Sequence, residues 1–401
     1  MTPVYIALNA GSSSLKFQIF EESGDTEPRL IFKGLFEGLG NSPHFVARDS
    51  GGTILDEMSW GPEQFGHEEA LVHLVSWLRK HQDGRQLKAI GHRVVHGGAA
   101  HSGPVLADEA VLAELETFVP LAPLHQPYNL EPIRISLRRL PGIPQVACFD
   151  TAFHRSQPEI AQMFALPREM RERGVQRYGF HGLSYEYIAS VLGDYDPRLA
   201  SGRVIVAHLG NGASLCALRS GASIATTMGF SALDGLPMGT RCGALDPAVV
   251  FYMLREMKLS PEEAERILYT KSGLLGVSGL SNDMRTLRSK AVVDADARRA
   301  IELFVYRITR EIGSLIAALG GIDGLVFTAG IGENDAATRV EVMARLPWTG
   351  LALDERANLS GGPRISTGSG PTAWIIPTNE ELMIVRQMRS VLSAAQTRLA
   401  S

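Results

Sequence analysis

The stretch Val4–Phe20, VYIALNAGSSSLKFQIF, places Gly11 and three serines between two apolar runs, which predicts a strand, a tight loop and a second strand. A surface hairpin turn calls for Gly, Asn or Asp, but it has no need of three serines. A second stretch, Arg203–Leu218 (RVIVAHLGNGASLCAL), repeats this order of strand, Gly/Asn/Ser loop and strand. The likeness predicts an internal duplication with two related α/β domains, although two unrelated hairpins would explain this likeness equally well.

Composition and charge narrow the class of protein. The chain has 401 residues, enough for two domains, with 45% hydrophobic and 20% charged residues, as in a soluble globular protein. The net charge of −4 gives no reason to expect a nucleic-acid partner. Cys148, Cys216 and Cys242 form no CxxC pair, and neither a signal-peptide pattern nor an uninterrupted membrane-spanning run is found in the sequence. We therefore expect a cytoplasmic protein without a membrane or nucleic-acid partner.

Three apolar strands end in polar loops that contain glycine: NAGSSS from Asn9, HLGNGAS from His208 and AGIGEND from Ala329. Glycine lets backbone N–H groups approach a ligand closely, and successive N–H groups in such turns form anion-binding concavities. The three loops together predict a polyanionic ligand held between two domains. Neither GxxxxGK[ST] nor GxGxxG occurs in the sequence, so a nucleotide would have to be bound on another scaffold.

Charged residues accompany these loops. Arg93 in GHRVVHGG and Arg241 in PMGTRCG lie near glycines, where the planar guanidinium suits a phosphate or carboxylate. A surface ion pair is the commoner role of any single arginine. Asp150 in CFDTAFH and Glu380 in PTNEEL are candidate ligands for Mg²⁺, which needs only one or two protein oxygens when it is attached to a nucleotide.

Ten blocks of the sequence, taken in order, resemble the acetate kinase (acetokinase) family of the acetate and sugar kinase, Hsp70 and actin superfamily. They run from the first strand to the last: NAGSSSLKF, GHRVVHGG, FDTAFH, RYGFHG, HLGNG, PMGTRCG, DPAV, KSGLLG, FTAGIGEN and PTNEEL. The resemblance implies an α/β fold of two RNase H-like (actin-like ATPase) domains with an interdomain active-site cleft. The N-terminal domain would span 1–150 and be joined by a C-terminal helix at 383–401, and a nucleotide-binding and dimerisation domain would span 151–382.

The activity that the resemblance implies is reversible phosphoryl transfer from ATP to acetate, giving acetyl phosphate and ADP, by a homodimer. Mg²⁺ would be the metal, with Mn²⁺ as the alternative, and Asn9 and Glu380 would hold it. Lys16 and the HLGNG loop would bind phosphates, and two later motifs would bind the nucleoside end. The nucleotide-binding residues implied are Lys16, His208, Leu209, Gly210, Asn211, Gly212, Asp283, Met284, Arg285, Gly330, Ile331, Gly332, Glu333 and Asn334.

Catalytic roles follow from the same resemblance. Arg93 would hold the acyl carboxylate, His181 and Arg241 would stabilise the transition state, and Asp150 is the residue to which the family assigns a proton transfer. A simple carboxylic acid has a pKa of about 4.3, like Glu, so acetate is already ionised at neutral pH and its attack needs no general base. We therefore expect Asp150 to orient a metal-bound water or a neighbouring arginine instead.

The acyl pocket decides between related activities. Val95, Leu124, Phe180 and Pro237 stand beside the motifs, and four bulky apolar residues favour a pocket for one methyl group. Propionate kinase or another short-chain acyl kinase is the alternative, because one methylene changes discrimination by only about 1–3 kcal/mol. A non-catalytic nucleotide switch of the actin or Hsp70 type is a more remote alternative. Such a switch would have no use for the set of Arg93, His181 and Arg241.

Overall fold

The computed structural model describes residues 1–24, 26–61, 65–81 and 83–400, and the chain divides into two compact units. Unit 1 comprises Met1–Phe153 together with the C-terminal segment from Asn379, and unit 2 comprises His154–Thr378. Residues 151–153 and 379–382, which we expected in the second domain, thus belong to unit 1. The reason is that Thr151 accepts a hydrogen bond from the Gly97 N–H, and Glu380 forms an ion pair with Arg93.

Runs of strands and runs of helices follow one another along the chain. The strands are β1 (Thr2–Gly11), β2 (Ser14–Glu21), β3 (Arg29–Glu37), β4 (His44–Asp49), β5 (Ile54–Ser59), β6 (Arg85–Val94), β7 (Val105–Leu106), β8 (Gln145–Phe149), β9 (Arg203–Leu209), β10 (Ala213–Arg219), β11 (Ala222–Thr226), β12 (Gly324–Thr328) and β13 (Thr372–Ile375). The helices are α1 (His67–Lys80), α2 (Glu109–Glu116), α3 (Gln126–Arg139), α4 (Glu159–Gln162), α5 (Arg168–Glu172), α6 (Gly182–Tyr195), α7 (Pro197–Ala200), α8 (Pro247–Arg255), α9 (Pro261–Thr270), α10 (Gly273–Ser278), α11 (Met284–Lys290), α12 (Ala295–Leu319), α13 (Ala329–Asn334), α14 (Ala336–Met343), α15 (Glu355–Leu359) and α16 (Glu380–Ala400). Within the described residues, none of these helices is long and apolar enough to cross a membrane.

The two units share one sheet topology. Unit 1 has the order β5-β4-β3-β2-β1-β6-β8-β7, and unit 2 has the order β11-β10-β9-β12-β13. In both sheets an antiparallel run of three strands, β3-β2-β1 or β11-β10-β9, is followed by two parallel strands, β6-β8 or β12-β13. This shared order and direction is what an internal duplication predicts. It confirms the expected α/β class with two RNase H-like sheets.

Each sheet is covered by amphipathic helices. In unit 1 the apolar face of α1, which includes Leu71, Leu74 and Trp77, packs in a core with strand residues such as Phe17 and Phe45. In unit 2 the 25-residue α12 buries Phe304, Ile308 and Ile312, which lie four residues apart on one helix face, and it packs against β9, β10 and β11. In each unit, a helix whose apolar residues repeat with the helical period thus packs on the antiparallel strands of the sheet.

The C-terminal helix begins earlier than expected. We expected it to start at residue 383, but α16 starts at Glu380 because Asn379 caps it: the Asn379 side-chain oxygen accepts the N–H of Leu382 at 3.0 Å. The helix packs on β1, β6 and β8 in unit 1. Its first turn therefore carries Glu380 and Glu381 at the sheet of unit 1.

Gly91 on β6 allows α16 to approach the sheet. A Cβ atom at this position would lie 2.4 Å from Ile384 Cγ2 and 3.0 Å from Met388 Cε, both on α16. We expect Gly91→Ala to lower the free energy of unfolding by about 1–3 kcal/mol, because the helix or strand must shift to relieve the overlap. Urea denaturation measures this change, and Gly103→Ala is the matched control, since a Cβ there meets no atom within 4 Å. Equal midpoints for the two variants would contradict this packing.

Candidate functional site

In unit 1 the predicted acyl-binding and metal-binding residues lie where parallel strands end. Strands β1, β6 and β8 run parallel, with Leu8 opposite His92 and Val94 opposite Phe149. Asn9 and Arg93 follow the first of these pairs directly, and Asp150 follows β8. The shared strand direction therefore brings residues far apart in sequence to one edge of the sheet, where ligands of parallel α/β sheets bind.

The Arg93 guanidinium lies between two carboxylates. Its Nε donates to both oxygens of Asp150 at 3.1 Å, and its Nη2 donates to Asp150 Oδ2 at 2.7 Å. Its Nη1 lies 3.1 Å from Glu380 Oε2 on α16. Three separate segments of the chain thus hold the guanidinium plane in one orientation.

Burial and neighbouring charges shift the pKa values of Arg93 and Asp150 in opposite directions. Burial lowers the pKa of Arg93, but the charges of Asp150 and Glu380 outweigh that effect and raise it above the usual value. Burial raises the pKa of the Asp150 carboxyl, and the charge and hydrogen bonds of Arg93 oppose that rise. Arg93 is therefore a permanent cation with a fixed orientation, which is what a site for a carboxylate substrate requires.

Lys16 forms an ion pair with Glu381, the residue that follows Glu380 in α16. Its Nζ lies 2.6 Å from Glu381 Oε1, and the Glu381 side chain is only 6% exposed whereas that of Lys16 is 52% exposed. Gln18 donates to the second Glu381 oxygen at 3.4 Å. The first turn of α16 thus binds two predicted site cations through two successive glutamates, and acidic residues there also favour the helix dipole.

Two buried amides of α3, which the sequence analysis did not predict, position the loops of this edge. Asn129 donates to the Ala10 carbonyl at 2.7 Å and accepts the Val95 N–H at 2.9 Å. Gln126 donates to the His96 carbonyl at 2.9 Å and accepts the His96 N–H at 3.1 Å. In the sequence, two amides three residues apart on one helix face, between apolar positions, would have indicated this pair of buried polar contacts.

In unit 2 the predicted histidines stack on each other. The rings of His181 and His208 have centroids 4.2 Å apart and planes inclined by 18°. The Nδ1 of His181 hydrogen-bonds with Ser214 and that of His208 with Ser184, both at 2.8 Å. Ser184 in turn hydrogen-bonds with Thr378. The serine hydroxyl groups hold the Nδ1 atom of each imidazole, so the orientation of both rings is fixed.

His181 has an unusual backbone. It occupies the N-cap of α6 in the left-handed region, with φ of 60°, which a residue other than glycine adopts at a cost of about 1–3 kcal/mol. A Cβ atom at Gly212 would lie only 3.1 Å from His181 Nε2. The HLGNG loop and the His181 ring are thus neighbours, and glycine at 212 leaves room for the ring.

The predicted nucleoside-binding motifs surround a cavity in unit 2. The cavity has a volume of about 560 Å³. Its lining comes from the loop after β9, the start of α11 and the α13 region: Gly210, Asn211, Asn282, Asp283, Met284, Arg285, Arg288, Gly330, Ile331, Asn334 and Asp335. Asn282, Arg288 and Asp335 were not predicted. Two of them directly adjoin predicted motifs, and Arg288 lies one helical turn after Arg285, so extending each motif along its element would have found them.

Other predicted nucleotide residues lie outside this lining as far as the described residues show: Lys16, His208, Leu209, Gly212, Gly332 and Glu333. Lys16 belongs to unit 1, and Leu209 is fully buried. The Glu333 carboxylate accepts the N–H groups of Ala329 at 2.8 Å and Thr378 at 3.2 Å. Glu333 therefore stabilises the backbone at the start of α13, next to the cavity.

Arginines around the cavity differ in their environment. Arg288 binds Asp335 at 3.1 Å and Glu341 at 2.7 Å, so it joins α11 to α14. Arg285 has a side chain 91% exposed and pairs with the nearby Asp283 at 3.1 Å. Arg288 is thus a rigid part of the wall, whereas Arg285 projects into solvent at the rim.

Arg241 is held by a backbone carbonyl, and the predicted acyl-pocket residues differ in their exposure to solvent. Arg241 donates to the Ala232 carbonyl at 3.0 Å, and Gly239 of the same loop donates to the Asn211 carbonyl at 3.0 Å, which ties this loop to the HLGNG loop. Phe180 is 1% exposed and Val95 is 7% exposed, and Pro237 is also buried. Leu124 is 43% exposed, unlike the other three.

The chain is similar to known proteins along nearly its whole length. A model of the acetokinase family matches residues 4–386. An acetate kinase of Rhodopseudomonas palustris (strain ATCC BAA-98 / CGA009) is 53% identical over 396 residues, covering 97% of this chain and 98% of that protein. An acetate kinase of Rhizobium meliloti is 46% identical over 391 residues, covering 97% of this chain and 98% of that protein.

Two solved structures are similar along nearly the whole chain. A propionate kinase from Francisella tularensis has a TM-score of 0.89 at 35% identity, covering 96% of this chain and 98% of that one. An acetate kinase from Porphyromonas gingivalis has a TM-score of 0.86 at 34% identity, covering 97% of this chain and 100% of that one. The fold is thus shared with short-chain acyl kinases of both kinds.

Three buried histidines make stability depend on pH. Burial lowers the pKa of His92, His96 and His154 from 6.5 to about 4. Between pH 6.5 and 4 the unfolded chain therefore binds more protons than the folded one, and the free energy of unfolding falls as the pH decreases, by up to about 1.4 kcal/mol per pH unit for each histidine. We expect His92→Gln, which keeps a partner for Gln145, to reduce the slope by up to that amount. Urea denaturation from pH 5.0 to 7.0 measures it, and an unchanged slope in a folded variant would refute this assignment.

Proposed function

The chain belongs to the acetokinase family, and on that premise we propose that it transfers a phosphoryl group from ATP to acetate, reversibly, giving acetyl phosphate and ADP. The observation that carries this proposal is the Arg93 guanidinium, kept charged and oriented by Asp150 and Glu380. A planar guanidinium matches the two oxygens of a carboxylate substrate. We assign Arg93 to the acyl substrate on this ground.

Charge is the main obstacle that the site must overcome. Acetate and the terminal phosphate of ATP are both anions, so they repel each other as the new bond forms. We assign Arg93 to the carboxylate, and Arg241 and His181 to the charge that develops on the transferring group. Each such donor is worth about 3 kcal/mol in the transition state.

The nucleotide side is assigned to the loops of unit 2. The cavity of about 560 Å³ falls within the size range of small-molecule sites, and Asp283–Arg285 and Gly330–Asn334 contribute to its wall. We assign the nucleoside to this cavity and the phosphates to the HLGNG loop, His208–Gly212, with Lys16. The N–H groups of a glycine-containing loop are suitable donors to phosphate oxygens.

We assign Mg²⁺ to Asn9 and Glu380. Amide and carboxylate oxygens are the donors that Mg²⁺ prefers, and a metal that enters with a nucleotide needs only one or two of them. Bound there, the metal would neutralise phosphate charge during transfer. Glu380 also contacts Arg93, so the same carboxylate would connect the metal site with the acyl site.

Asp150 is assigned an orienting role. Its two oxygens accept three hydrogen bonds from Arg93, and its side chain is only 2% exposed. Acetate is already ionised near neutral pH, so the reaction needs no base at this position. We propose that Asp150 acts by holding Arg93.

We assign discrimination between acyl substrates of different chain length to four residues beside the motifs: Val95, Leu124, Phe180 and Pro237. Val95, Phe180 and Pro237 are buried and Leu124 is 43% exposed, and the bulky apolar character of all four favours a substrate with one methyl group. The similarity to a propionate kinase structure keeps propionate as the second candidate substrate. A non-catalytic nucleotide switch would leave the oriented Arg93 without a role.

We also propose a cytoplasmic homodimer that associates through unit 2. Large apolar side chains are exposed on α8 and α12, namely Phe251 at 52%, Tyr252 at 58% and Tyr306 at 52%. Exposed apolar groups of this size are typical of surfaces that bind another protein chain.

The activity can be tested directly. With MgATP, acetate and hydroxylamine, we expect acetyl hydroxamate to form, and we expect chelation of the metal by EDTA to abolish the reaction. We expect kcat/KM for propionate to be lower by about tenfold, because one methylene costs about 1–3 kcal/mol in a small pocket. A higher kcat/KM for propionate would assign the enzyme to propionate. ATP binding without hydroxamate from any acid would favour the switch.

The variant Asp150→Asn distinguishes an Asp150 that orients Arg93 from an Asp150 that transfers a proton. We expect KM for acetate to rise by about tenfold or more, because Arg93 loses a charged partner and its orientation, while the pH profile of kcat keeps its shape. The measurement is kcat and KM from pH 6 to 9 on protein shown to be folded. Asp323→Asn is the control, since Asp323 makes a comparable two-point pair with Arg203 at the other end of the unit 2 strands. Loss of an acid limb from the kcat profile of Asp150→Asn would show proton transfer instead.

A further inference from the structure

Two cavities adjoin each other in unit 1, away from the residues assigned above. Their volumes are about 200 and 160 Å³, and both are lined by Val75, Arg79 and Leu140. They lie beside α1 and the C-terminal end of α3. Neither reaches the lower limit of about 300 Å³ for ordinary ligand sites, but the two together do. We call the pair the α1–α3 groove.

The groove is mainly apolar. The lining of the larger cavity includes Val4, Leu78, Leu87 and Ile143. Leu78 and Val4 belong to the core of unit 1, and Leu87 and Ile143 pack against that core. An aliphatic chain placed in this cavity would therefore bury its surface against existing core side chains.

Two polar groups of the groove, one cation and one hydroxyl, have no partner among the residues that the structure describes. Arg79 is exposed, and it has no acidic partner among the residues that the structure describes. Ser136 lines the smaller cavity; it is 2% exposed, and its hydroxyl has no hydrogen-bond partner in the described part of the chain. A buried hydroxyl without a partner is unfavourable, so a ligand oxygen that pairs with it would be stabilised.

The surrounding charge is also positive. Glu68 is the acidic partner of both Arg138 and Arg139, and Arg139 lines the smaller cavity. One carboxylate shared between two guanidinium groups leaves one positive charge uncompensated at this end of α3. Together with Arg79, this charge favours an anionic ligand group.

We propose that the α1–α3 groove binds an amphipathic carboxylate, with its carboxylate at Arg79 and the Ser136 hydroxyl and its aliphatic chain in the larger cavity. Acetate is too short to fill the groove. The ligand is thus a longer monocarboxylate than the substrate. This binding does not depend on the proposed function.

Helix α3 connects the groove with the acyl side. Its C-terminal half carries Ser136, whereas its N-terminal half carries Asn129, which holds the Ala10 carbonyl and the Val95 N–H. A displacement of α3 by a bound ligand would move both backbone groups beside Asn9 and Arg93. We therefore expect the ligand to change KM for acetate, an effect that rests on the proposed function.

Octanoate is a suitable probe, with 1-octanol as the uncharged comparison. By isothermal titration we expect octanoate to bind more tightly than 1-octanol, and Arg79→Gln to raise its Kd by about tenfold, as for loss of a charge-assisted contact. Lys80→Gln is the matched control, because Lys80 is the next exposed cation of α1 and does not line either cavity. We expect Lys80→Gln to leave Kd within twofold and Ser136→Ala to raise it.

Three outcomes would overturn the site: no octanoate binding, equal Kd for the wild type and Arg79→Gln, or equal loss in Arg79→Gln and Lys80→Gln. The first would remove the groove as a ligand site, and the second would assign octanoate to another site, such as Arg93. Octanoate should change KM for acetate in the wild type but not in Arg79→Gln. Binding at Arg79 with an unchanged KM would overturn the coupling through α3, whereas failure of the acetate assay alone would concern only the proposed function.

Discussion

The Arg93 guanidinium and its two carboxylates are the interaction on which the rest of unit 1 depends. A buried charge without a partner is strongly unfavourable, so Arg93 requires both Asp150 and Glu380 to be in place. These residues come from β6, from the end of β8 and from the start of α16. The C-terminal segment must therefore return to the N-terminal sheet, which explains why residues from Asn379 onward belong to unit 1.

The two units have the same sheet topology but different chemistry at their strand ends. In unit 1 the strands end in charged groups, with Arg93 and Lys16 paired to successive glutamates of α16. In unit 2 they end in glycines, hydroxyl groups and a stacked pair of imidazoles, His181 and His208. A carboxylate needs an oriented cation, whereas phosphates and a nucleoside need many N–H and O–H donors. One sheet topology used twice thus carries two different kinds of polar group.

Local sequence patterns account for much of what the structure contains. The alternation of apolar runs and glycine loops predicted both strand–loop–strand units, because strand period and turn chemistry are local properties. Motif positions predicted most of the lining of the unit 2 cavity and missed only neighbours such as Asn282 and Arg288. The supporting amides Gln126 and Asn129 were not predicted, because their partners lie in loops that are distant in sequence and only packing brings them together.

The sequence by itself determined the α/β class, the family and the identity of the charged residues at the strand ends, since each of these is written in contiguous motifs. Only the tertiary structure decided how those residues pair. Asp150 binds Arg93, Glu381 binds Lys16, and the Glu333 carboxylate turns to backbone N–H groups beside the cavity that its motif helps to form. A side chain's partner depends on which distant segment packs beside it and on how far burial removes water, and neither quantity is contained in a local pattern of residues.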